Sequence, residues 1–85
     1  MVITDYKNKE LRFTDHILDK MLILGLERPL VFDVLNTGSI VKPKSIGNKL
    51  VIKRYYGKCN ITYYIVIRVK QKFLEAITLW QKEGK

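Results

Sequence analysis

Eighty-five residues with 47% hydrophobic content and nine aromatic side chains leave room for one small folded domain, but not for a cofactor domain beside a substrate domain. Sixteen basic against eight acidic residues give a net charge of +8, a balance that draws the chain to nucleic acid or anionic lipid. The single cysteine, Cys59, excludes an intramolecular disulfide and the paired-cysteine zinc patterns, and suits a reducing cytoplasm.

The charge is uneven. Residues 1–33 carry five basic and six acidic side chains, whereas Val34 to Leu74 carry nine basic and none acidic. The nine are Lys42, Lys44, Lys49, Lys53, Arg54, Lys58, Arg68, Lys70 and Lys72, interleaved with Tyr55, Tyr56, Tyr63 and Tyr64. Cations among rings suit a polyanion with stackable bases, while the plain alternative is a solvated lysine-rich surface.

Residues 1–10 are polar and mixed in charge, unlike a signal peptide, and no apolar run approaches the roughly 18 residues of a membrane span. The expectation is a soluble, cytoplasmic protein without a membrane partner. Leu11 and Phe13 around Arg12 suit a short strand or an extended lead-in. From Thr14 the spacing turns helical: Thr14 is an N-cap, Asp15 lies in the first turn, and Ile17, Leu18, Met21, Leu22 and Leu24 form an apolar stripe. Gly25 ends the helix, with Leu26 folding back as in a Schellman motif. A second helix starts near Pro29, takes in Leu30, Val31, Phe32, Val34 and Leu35, and stops at Asn36-Thr37-Gly38. The short connection makes the two a helical hairpin.

Beyond Gly38 the period falls to two. Strands are expected over Ser39–Lys42, Lys49–Tyr56, Ile61–Lys70 and Phe73–Trp80, with Pro43 and Gly47 in the first connection, Gly57 to Asn60 as a hairpin turn and a polar tail from Gln81. Ile61, Tyr63, Ile65, Ile67 and Val69 share one face of the third strand, while Thr62, Tyr64, Val66, Arg68 and Lys70 share the other. The expected fold is a single α+β domain over residues 1–85, an N-terminal helical hairpin followed by a four-stranded antiparallel sheet.

The segment His16-Ile17-Leu18-Asp19-Lys20-Met21, then Leu24-Gly25-Leu26, then Val31, Val34 and Leu35 before Asn36-Thr37-Gly38 and a strand, resembles a small bacterial and archaeal domain family. That family opens on H-A-x-x-R-M-x-x-R-G followed by Ile or Val. His16, Met21 and Gly25 match; Lys20 and Leu24 stand where the pattern has arginine. The family is similar to the BrnT and RelE-type toxins of toxin–antitoxin systems. The resemblance, which spans about Phe13 to Trp80, implies a RelE/BrnT-like fold and an RNA-binding or RNA-cleaving toxin acting on RNA, free or ribosome-associated.

Metal-independent RNA cleavage needs a base for the 2′-OH, a cation at the phosphate and a donor for the leaving oxygen. His16, the only histidine, falls in the first helical turn, where the positive end of the dipole favours the neutral imidazole of a general base; a histidine that merely fixes helix packing is the alternative. Lys20 lies one turn on, beside Asp15 and Asp19, so a surface ion pair competes with phosphate binding. Arg68 is the first choice for phosphate or transition-state charge, and Tyr64 for stacking or donation. These four form the candidate catalytic set. Lys53 and Tyr55, with Lys70, Lys42, Lys44 and Lys49, form the candidate RNA-binding set, because the apolar Leu50 and Ile52 turn Arg54 and Tyr56 inward. Trp80, alternating with Thr78 and Ala76, reads as a core residue in preference to a base platform. No cofactor or metal is expected, since ligand spacing and a phosphate-cradling glycine loop are both lacking.

The reading is therefore a basic toxin-like RNA-binding protein and metal-independent endoribonuclease, held in check by an acidic antitoxin-like protein that covers the cations. Two rivals stand beside it. One is a non-catalytic nucleic-acid-binding module; the other is a structural or interaction domain whose open sheet edge pairs with another chain, a second copy included.

Overall fold

The structure is a computed structural model that describes residues 10–85, with Pro43 described in its backbone only. The expectations for residues 1–9 lie outside the described residues. The elements in chain order are β1 (Glu10–Phe13), α1 (Asp15–Leu24), α2 (Arg28–Thr37), β2 (Ser39–Ile40), β3 (Lys49–Tyr56), β4 (Ile61–Val69) and β5 (Phe73–Glu83), with a 3-10 turn at Lys42–Lys44 between β2 and β3. The fold is α+β, two helices on a sheet ordered β1-β5-β4-β3-β2.

The helix ends obey local chemistry. Thr14 adopts an extended backbone and its hydroxyl accepts from the Ile17 N–H, while it donates to the Ala76 and Ile77 carbonyls at 3.0 Å and so ties the start of α1 to β5. At the other end Gly25 sits at φ 70°, and its N–H and that of Leu26 return to the Leu22 and Met21 carbonyls, the two bonds of a Schellman motif. Ile17 and Met21 are buried, but Leu22 is 82% exposed, which corrects the expected stripe. At about 100° per residue, Leu22 lies roughly 140° round the helix from Ile17.

The sheet corrects the four-stranded antiparallel expectation. Among the described residues it has five strands and is mixed, because β1 pairs with β5 in parallel, Glu10 beside Phe73 through Phe13 beside Ala76. The remaining pairings are antiparallel. The strand expected over Ser39–Lys42 is only two residues long, since the chain leaves the ladder at Val41 for the 3-10 turn, whose Pro43 brings no N–H. Val41 N–H and the Ser45 hydroxyl then satisfy the outer edge of Val51 in place of a strand. The last strand runs on through the expected polar tail to Glu83, paired with Ile61.

A bulge falls between Val66 and Ile67, where Val66 faces Thr78 but Ile67 faces Ala76. Ile77 is the extra residue, so Ala76 and Thr78 belong to opposite faces although they alternate in sequence. Ile17, Met21, Val31, Val34 and Leu35 of the helices bury Leu50, Ile52, Ile65, Ile67, Leu74, Ala76 and Leu79 of the sheet. Each large aliphatic side chain removed from water stabilises the fold by about 1.5–3 kcal/mol. α1 packs chiefly on β5 and α2 on β3 and β4, so the pair spreads across one sheet face and leaves the other open.

Candidate nucleic-acid interface

Cross-strand register organises the open face into rows. Lys53 lies beside Tyr64, and Tyr64 beside Trp80. The Tyr64 and Trp80 rings stack at 4.9 Å with 7° between planes. Trp80 is thus a half-buried open-face residue, which corrects its reading as a core residue: the bulge at Ile77 detaches its alternation from that of Ala76. The row on one side holds Tyr55, Thr62 and Lys82; beyond the Val51–Val66–Thr78 row on the other side come Lys49, Arg68, Glu75 and Arg12.

The acid-free stretch is bracketed by Asp33 and Glu75, and both turn back onto it. Arg68 Nη1 donates to Glu75 Oε1 at 3.1 Å, with both side chains about a third exposed. Arg54 Nη1 donates to Asp33 Oδ2 at 3.2 Å on the helix side. Lys42, Lys44, Lys49, Lys53, Lys58 and Lys72 form no ion pair among the described residues. The free charge on the open face is therefore carried by lysines, while the arginines are partly neutralised in place.

His16 is exposed, and its Nε2 shares a 3.0 Å hydrogen bond with the Thr78 hydroxyl. Thr78 lies opposite Val66, the residue between Tyr64 and Arg68, so His16 stands at the rim of the open face beside the row that separates those two. Lys20 is half-buried one helical turn further along α1, with no hydrogen bond or ion pair among the described residues. Three of the four candidate catalytic residues thus border one part of the sheet, and Lys20 is not brought to it by any contact. Of the candidate RNA-binding residues, Lys49, Lys53 and Tyr55 share the open face. Lys42 and Lys44 are exposed on the turn outside β2, and Lys70 follows the last residue of β4, where its N–H bonds to the Phe73 carbonyl.

Residues outside both sets also shape the surface. Arg12 lies 4.0 Å over the Phe73 ring and pairs with Glu10 at 3.3 Å, so the β1 side carries an offset cation on an aromatic. Lys82 joins the Tyr55–Thr62 row, and Lys85 stands 5.3 Å over the Tyr55 ring. The continued period of two through Leu79, Trp80, Gln81 and Lys82 is the signal that would have extended the last strand and turned Trp80 and Lys82 outward together.

On the helix side, Asp33 accepts from both Arg54 and the Tyr56 hydroxyl, and the Thr37 hydroxyl accepts from Arg54 while donating to the Asp33 carbonyl. Burial, and then the adjoining Asp33 carboxylate, push the Tyr56 phenol up to about 12. This network fastens the end of α2 to β3 and holds the strand whose other face carries Lys53 and Tyr55. Among the described residues no three His, Cys, Asp or Glu side chains gather as a metal site, and no helix is long and apolar enough to cross a membrane. No protein-family model, curated protein or solved structure matches the chain.

Proposed function

We propose that the protein binds single-stranded RNA across the open face of its sheet. The observation that carries this reading is the row Lys53–Tyr64–Trp80, a stacked aromatic pair beside a lysine with no acidic partner, flanked by Lys49 and Lys82. Unpaired bases stack on such rings at about 1–3 kcal/mol each, and the lysines meet the phosphates between them. A lipid headgroup offers no flat ring, and an A-form duplex hides its bases from a sheet. The choice of RNA over DNA follows the resemblance to RelE/BrnT-like toxins. The test is binding of a labelled single strand at rising salt, with the matching duplex and a DNA strand as controls. Tight, salt-sensitive binding to the single strand supports the reading, and no binding at low salt overturns it.

A second reading, metal-independent cleavage, is favoured by the His16–Thr78 contact at the rim of the same face. His16 would accept the 2′-OH proton as that oxygen attacks the neighbouring phosphorus. Arg68, shared with Glu75, would offset the charge gathering on the phosphate oxygens, and Tyr64 would return a proton to the departing 5′ oxygen. Incubation of RNA with the protein and a chelator tests it: cutting that His16→Ala abolishes supports an enzyme, and intact RNA leaves a binding module. As a toxin, the protein would meet an acidic antitoxin-like partner over the same lysines, and that partner would compete with RNA.

A further inference from the structure

At the corner where α2 passes into β2, the structure forms a groove of about 290 Å³ that adjoins the open face and shares Lys53 and Tyr55 with it. Its walls include Thr37, Ser39, Lys53, Arg54, Tyr55 and Lys85. They come from three separate parts of the chain, namely the α2–β2 corner, β3 and Lys85, two residues beyond β5. Among the described residues no Asp or Glu lines the groove, and Asp33, the acid of the neighbouring network, is already held by Arg54 and by Tyr56. Of the three cations, Lys53 has no acidic partner among the described residues, Lys85 rests on the Tyr55 ring, and Arg54 spends Nη1 on Asp33 and Thr37.

The corner is built tightly. Gly38 approaches β3 so closely that an added Cβ would meet the Lys53 and Val34 carbonyl oxygens at 2.5 Å. The groove wall is therefore fixed by backbone contact, and the cations on it stand on a rigid strand and a pinned helix end.

We infer that this groove binds a phosphomonoester, the terminal phosphate of the RNA strand that lies on the open face. A terminal phosphate carries about −1.5 to −2 charges near neutral pH and three acceptor oxygens, against one charge on each internal phosphodiester. A compact site with two unpaired lysines, Lys53 and Lys85, and no Asp or Glu among the described residues selects the former, whereas the lysine rows suit the latter. The volume sits at the lower end of ligand pockets, about 300 Å³, the scale of one small ligand rather than of a folded chain. Tyr55, shared by the groove and the open face, lets the last base stack while its phosphate enters the groove.

The inference rests on the RNA reading for its source of phosphate but is tested apart from it. Full-length protein is titrated with one oligonucleotide in three forms: 5′-phosphorylated, 3′-phosphorylated and without terminal phosphate. A phosphorylated end binds about tenfold tighter, the value of one added charge-assisted contact, and Lys85→Ala removes the difference. In parallel, amide NMR shifts of the full chain are followed during addition of inorganic phosphate and of a nucleoside monophosphate. Shifts centred on Ser39, Lys53 and Tyr55 support the groove even if no oligonucleotide binds, and then name a free nucleotide as the ligand. Equal affinity for all three oligonucleotides, together with no shift at those amides, overturns it.

Discussion

β4 divides the molecule into two surfaces that differ residue by residue. Ile65 and Ile67 are 1% and 0% exposed beneath the helices, whereas Tyr64 and Arg68, their neighbours in sequence, are half-buried on a face that no described element covers. One face spends its side chains on burial and holds the domain together. The other buries Val51 and Thr62 but gives most of its remaining positions to a ring stack, an ion pair and lysines without an acidic partner, of which the charged groups add little to stability and suit a ligand. The contrast teaches that aromatic content alone did not identify the core here: Tyr56 and Tyr63 meet edge to face at 5.6 Å on the helix side, while Tyr64 and Trp80 stack in the open.

The sharpest way to break this contrast is to truncate both sides of the same strand. Ile67→Ala should destabilise the protein by about 2–5 kcal/mol through lost burial and the cavity left behind. Val66→Ala, one residue away, should cost about 1 kcal/mol or less, as chemical denaturation would measure. Comparable losses would show that the open face is as structural as the covered one. Next in size is Trp80→Ala, which should weaken RNA binding by about 1–3 kcal/mol, read by fluorescence anisotropy, with a smaller change in unfolding midpoint. A fall in stability without a fall in affinity would return Trp80 to a purely structural role.

Lysine substitutions refine the charge side of the contrast. Lys49→Gln and Lys53→Gln should each reduce the slope of log affinity against log salt by about one, with little effect on folding, as repeated binding titrations would show. The smallest effect at neutral pH belongs to Tyr56→Phe. Because the Tyr56 phenol is held at about 12 in the folded chain against an ordinary value of 10.0, folding keeps it protonated where the unfolded chain ionises. Its contribution is fully present below pH 10 and is lost as the pH climbs towards 12. Denaturation midpoints over that window should fall more steeply for the native chain than for Tyr56→Phe.

What the sequence made legible was governed by neighbours in the chain. Thr14, Gly25 and the Gly57 to Asn60 turn act through bonds within a few residues, so both ends of α1 and the β3–β4 hairpin could be read directly. The parallel partnership of β1 with β5 joins residues 63 positions apart, Glu10 with Phe73, and a four-residue strand carries no mark of its partner. The bulge at Ile77 was equally silent, yet that single inserted residue decides on which face Trp80 stands. The free cations were countable from the sequence, but their neutralisation was not. Asp33 and Glu75 lie just outside the acid-free stretch, and only the fold returns them to Arg54 and Arg68.

The most direct test of the open face uses the one tryptophan of the chain as its own reporter. Titration of single-stranded RNA into the protein should quench Trp80 fluorescence as a base displaces or extends the Tyr64 stack, with an apparent affinity that falls steeply as salt rises. RNA that binds without altering Trp80 emission, or fails to bind even at low salt, would contradict the account.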